Sequence, residues 1–138
     1  EHLDRLVVHR SEWFVYGPAS STVEQGMNNN GLYHIEMFRA RAGYKTKLLQ
    51  QRAMENDYLG KTGQVVNLVF KGDQGGDWDV MTIGFHKSMQ SFASGSGLSA
   101  EEKDQIARQV GFKSVDDIGP FLRSLIDSHN DTLAVSVR

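Results

Sequence analysis

The sequence predicts an α+β fold, one antiparallel sheet built in the order β-α-β-β-α-β with helices on one face. Two observations carry this. Three stretches between residues 32 and 85 alternate with a period of two, the mark of half-buried strands. In residues 32–38, Tyr33, Ile35 and Met37 share one side, and His34 and Glu36 the other. In residues 65–70, Val66, Leu68 and Phe70 oppose Asn67; in residues 78–86, Met81, Ile83 and Phe85 oppose Trp78, Val80, Thr82, Gly84 and His86. The second observation is what separates the strands: a helix-forming stretch after the first, a short glycine-rich connection between the next two, and helix-forming stretches again after the third.

Taken in order, residues 6–17 mix aliphatic residues with Trp13, Phe14, Val15 and Tyr16, a composition that favours an extended edge strand or packed arm. A sharper alternative is an arm reaching a partner subunit. Residues 20–31 are rich in Ser, Thr, Asn and Gly and read as a loop. Residues 1–30 are thus an N-terminal arm and loop, and residues 31–138 the folded domain. After the first strand, residues 44–59 lack Gly and Pro and read as a helix, closed by Gly60 and Gly63. Residues 71–77 are too few for anything but an antiparallel hairpin. Asp73, Asp77 and Asp79 there miss the spacing of a calcium loop and read as solvated turn acids.

Beyond His86 come a flexible link over residues 92–99, with lid or plain connector both open, and a capping box from Ser99 to Glu102 that starts an extra helix ended by Gly111. Ser114 is the expected cap of the next helix, on which Ile118, Phe121, Leu122, Leu125 and Ile126 form one stripe. After His129, Asn130 and Asp131, residues 132–137 form the last strand, with Leu133, Val135 and Val137 on one face. The expected core beneath the helices is therefore Tyr33, Ile35, Met37, Leu68, Phe70, Met81, Ile83, Phe85, Leu133 and Val135. This order of elements is that of a ferredoxin-like sheet.

At 138 residues the chain is long enough to bury roughly two-thirds of the surface its unfolded form exposes. A net charge of −2 with interspersed signs supplies no concentrated basic face, so neither nucleic acid nor an anionic membrane is an expected partner. No apolar run approaches the ~18 residues that span a bilayer. There is no cysteine, hence no disulfide framework or thiolate nucleophile. No phosphate loop, dinucleotide fingerprint or serine nucleophile elbow is present.

With the regular apolar face under helices, the opposite face carries Phe38, Val65, Val69, Trp78, Val80 and Ala134, too much apolar surface for a lone sheet. A second copy packed face to face would cover it. These strand patterns, with the late helix and final strand, resemble the dimeric α+β barrel superfamily, which includes antibiotic-biosynthesis-type monooxygenases and haem-degrading enzymes. The resemblance implies a homodimer whose barrel encloses His34, Glu36, Asn67, Thr82, His86 and Ser136. Asn, Trp and His, residue types that some of its oxygenases use, are present as Asn67, Trp78 and His86.

His34 and Glu36 stand two apart on one strand face, where a carboxylate can orient an imidazole as a general base. His86 on the neighbouring strand joins them as a catalytic candidate, with Asn67, Trp78 and Thr82 as substrate-binding candidates. Two histidines and Glu36 also match a facial metal triad, a weaker match than the base pair, and a plain buried hydrogen-bonded pair is the simplest alternative. No metal site and no cofactor are assigned. His2, His9 and His129 read as solvated, and Arg39 and Arg41 as strand-end surface groups. Two function classes follow: a cofactor-independent oxygenase or isomerase acting on a small apolar or aromatic molecule, or a non-catalytic homodimer that binds a ligand such as haem or is purely structural.

Overall fold

The computed structural model describes residues 11–136. Its elements are β1 (Phe14–Tyr16), α1 (Ser20–Asn29), β2 (Leu32–Ala40), α2 (Lys45–Lys61), β3 (Leu68–Gln74), β4 (Val80–His86), α3 (Met89–Ala93), α4 (Ala100–Gln109), α5 (Ile118–Leu125) and β5 (Ile126–Val135), with a 3-10 turn (Val115–Asp117) before α5. The five strands form one antiparallel sheet in the order β1-β3-β4-β2-β5, an α+β arrangement compatible with a ferredoxin-like fold. No helix among the described residues is long and apolar enough to cross a membrane.

Register decides which side chains share a face. Tyr33, Ile35 and Met37 pair with Phe85, Ile83 and Met81, while His34, Glu36 and Phe38 pair with Gly84, Thr82 and Val80. The helices cover the second set. Phe38, Leu48, Val80, Leu125 and Ile126 form the main core, so α2 and α5 pack on the mixed face, opposite to the expected core. The physical reason lies in α2: its buried Gln51 and Arg52 supply polar partners for that face, so polarity there does not mean exposure to water. The regular apolar face is covered only at its margins. At one end α1 crosses it, where the backbone of Gly26 abuts the Phe85 ring and Tyr33 Oη donates to the Met27 carbonyl at 3.2 Å. At the other, Gly17 lies against the buried Phe70 ring. Ile35, Met37, Met81 and Ile83 remain half-buried.

Several boundaries move for tertiary reasons. Residues 20–29 are helical rather than a loop, because the helix is held by its contacts with Phe85 and Tyr33 rather than by propensity. β3 starts later and runs through Gln74, with Gly72 packed against Trp13: a Cβ on Gly72 would stand 2.9 Å from the indole Nε1. Of the edge strand expected over residues 6–17, residues 14–16 form β1, beside β3, and residues 6–10 lie outside the described residues. β5 begins at Ile126, six residues early, since its polar half pairs with β2 along an exposed edge that needs no apolar face. Its register puts Leu133 opposite His34 and Val135 opposite Leu32, on the mixed face, and both stay exposed. Val137 lies outside the described residues, as do His2 and His9.

The Ser99 to Glu102 capping box is formed on both sides. Ser114 makes no side-chain cap; the capping position of α5 is Asp117. Asp73 and Asp77 are exposed turn acids as expected, Asp77 pairing with Arg39 at the surface, whereas Asp79 is a clasp that accepts from the Ala40 amide at 2.9 Å and pairs with Lys45. A second core of Tyr58, Ala107 and Phe112 joins α2 to α4.

Because Phe38 is fully buried and Ile83 only half so, Phe38→Ala is expected to cost about 3–5 kcal/mol, and Ile83→Ala clearly less. Urea denaturation of the two variants measures this, and a larger loss at Ile83 would contradict the face assignment.

Candidate functional site

The mixed face carries the polar side chains singled out in the sequence, and α2 and α3 roof them. Between sheet and roof lies a cavity of about 440 Å³ lined by His34, Glu36, Glu55, Asn67, His86 and Phe92 among others. It sits within one chain, whereas the expected barrel interior lay between two. Asn67 is held just before β3 by a two-way amide clasp with α2: its backbone NH donates to Asn56 Oδ1 at 3.0 Å, and Asn56 Nδ2 donates to its carbonyl at 2.8 Å.

Gly84 lies behind two of the lining residues, Asn67 and His86. A Cβ there would lie 2.6 Å from Asn67 Oδ1 and 3.0 Å from His86 Nε2, so these two polar atoms converge over a bare Cα that no other residue would leave open. Phe92 of α3 stands over both histidines, its ring centroid 5.0 Å from each imidazole. The flexible link thus begins with a helical turn that carries an aromatic roof. His86 Nδ1 is buried without a hydrogen-bond partner. Burial first, and the nearby His34 second, lower the pKa of His86, so the ring is held neutral. An unpaired buried N–H costs about 1–3 kcal/mol, which favours the tautomer with its proton on Nε2, facing Asn67.

Glu36 does not orient His34 through a hydrogen bond. Its Oε2 accepts from Thr82 Oγ1 at 2.8 Å and pairs with Arg52 Nη1 at 3.6 Å. Arg52 is buried, lies 5.0 Å from the Phe38 ring centroid, donates from Nε to Gln51 Oε1 at 2.8 Å, and pairs also with Glu55 Oε2. Burial raises the pKa of Glu55 against the opposing pull of Arg52. Thr82 is therefore a support beneath Glu36 rather than part of the cavity wall, and Trp78 sits in the hairpin at the far end of β4, away from the cavity.

The sequence thus pointed to His34, Glu36, His86 and Asn67, which the fold brings together. It missed Glu55, Arg52 and Phe92. Glu55 stands three residues beyond Arg52 on a helix that ordinary reading treats as charged and solvated; an Arg and a Glu flanked by Leu48 and Tyr58 on the packed side was the available signal. His129 is half exposed, pairs with Asp131 at 3.6 Å and stacks near Phe38. Arg39 and Arg41 lie at the surface as expected.

No family model, no curated protein and no solved structure matches the chain. The α+β sheet stands on the structure alone, and no relative supports a monooxygenase-type activity.

Two outcomes are expected. Arg52→Leu leaves Glu36 and Glu55 buried without their cation and should cost about 3–5 kcal/mol by urea denaturation. His86, with its pKa below 6.5 in the fold, binds fewer protons folded than unfolded, so its contribution makes stability fall as pH drops below 6.5. Denaturation midpoints at pH 7.5 and 5.5 should therefore separate more for wild type than for His86→Gln; equal separations refute the buried neutral histidine.

Proposed function

We infer that the protein is an enzyme that binds a small apolar or aromatic molecule bearing a carbonyl-type oxygen and moves a proton on it, an isomerase-type reaction without a redox partner. The convergence of His86 Nε2 and Asn67 over Gly84, at the wall of the cavity, carries this conclusion. A neutral histidine that donates from Nε2 polarises a carbonyl and stabilises the charge that develops when a neighbouring C–H is broken. His34 and Glu55 line the same cavity and are the groups able to take that proton; Glu55, with its raised pKa, is also able to return it at a second carbon. Leu59, Val65 and Phe92 supply the apolar part of the lining. Oxygenation of a carbanion formed in this way is the related cofactor-independent reaction.

The second reading, a non-catalytic ligand-binding or structural homodimer with a ferredoxin-like barrel, draws on the half-buried Ile35, Met37, Met81 and Ile83. On this face assignment a second copy would close over those residues and leave the cavity inside each subunit.

The test is solvent deuterium exchange, followed by NMR, into a panel of small aromatic ketones incubated with the protein. Catalysed exchange is expected, reduced about 10²–10⁴-fold in His86→Ala. Exchange no faster than in buffer, or undiminished in His86→Ala and Glu55→Gln, would leave only the binding reading.

A further inference from the structure

Glu36 and Asp131 face each other across the β2–β5 ladder, and His34 stands two residues along β2 on the same face. One ligand atom from each of the three lies within 4.8 Å of the other two. We propose that His34, Glu36 and Asp131 bind a divalent transition-metal ion whose remaining coordination positions open on the cavity.

Four observations support it. The three donors sit on neighbouring strands of one ladder, so the backbone holds their spacing without a mobile loop. Each carboxylate is already oriented from outside: Thr82 and Arg52 both engage Glu36 Oε2, and His129 lies 3.6 Å from Asp131 Oδ2. Such outer partners are what fix metal ligands in position. The charges favour a cation, because Glu36 shares the guanidinium of Arg52 with Glu55 and has the carboxylate of Asp131 as a further neighbour. Last, His34 and Glu36 also line the cavity, so water or a ligand there can complete the coordination.

Donor chemistry narrows the ion. One imidazole with two carboxylates suits zinc, manganese or iron, whereas calcium takes oxygen ligands alone. The site differs from a triad of His34, Glu36 and His86: Asp131 replaces His86, which instead faces Asn67 over Gly84. A bound ion would occupy His34 and leave Glu55 as the proton acceptor, but ion binding itself does not depend on the proposed reaction.

The full chain, treated with a chelator and dialysed, would be titrated with Zn²⁺ and Mn²⁺ by calorimetry and with Co²⁺ by visible absorption. Saturable binding of one equivalent is expected, weakened at least about tenfold in Asp131→Asn and in His34→Gln. Asp131 is exposed, so its substitution spares the core. Asp127→Asn, on the same strand and paired with Arg41, should bind as wild type does. No saturable binding at millimolar ion, wild-type affinity in Asp131→Asn, or equal weakening in Asp127→Asn would overturn the site. The readout contains no organic substrate, so it fails or succeeds separately from the exchange experiment.

Discussion

The buried guanidinium of Arg52 is the constraint on which the rest of the structure depends. Its side chain is 2% exposed, and it meets Glu36 from the sheet, Glu55 from its own helix and the face of Phe38. An arginine without partners in that position would be prohibitively costly. With them, it ties α2 to β2 and makes a polar patch compatible with a covered face. The same contacts engage Glu36 Oε2, with Thr82 on the other side, so the local chemistry of the cavity follows from where this one charge is neutralised.

That interaction also explains why the sheet presents its less regular face to the helices. Phe38 and Val80 supply apolar contact at one end of the β2–β4 pair, and His34, Gly84 and His86 supply a hollow at the other. Packing is therefore dense beneath α5 and open beneath α3. Gly84 leaves room for the Asn67 and His86 side chains that line the cavity, and the short α3 carries Phe92 over them.

Electrostatics divides the site into two halves. On the β4 side, burial keeps His86 neutral beside Asn67, an arrangement suited to donating one hydrogen bond to a neutral ligand. On the β2–β5 side, Glu36 shares Arg52 with Glu55, and Asp131 stands close to Glu36 and His34. His34 stands between the two.

The period-two pattern of residues 32–38 and 78–86, the helix read over residues 44–59 and the Ser99 to Glu102 capping box were determined by the sequence alone, because each depends on neighbours within a few positions. The same alternation placed His34, Glu36 and His86 on one face. It did not decide which face the helices cover, since alternation distinguishes two faces without ranking them once a helix brings its own buried Arg52 and Gln51. Nor did it place Asp131 opposite Glu36, because a polar edge strand has no apolar period to read. Those assignments, and the pairing of Glu55 with Arg52, come from contacts distant along the chain, which only the tertiary structure brings together.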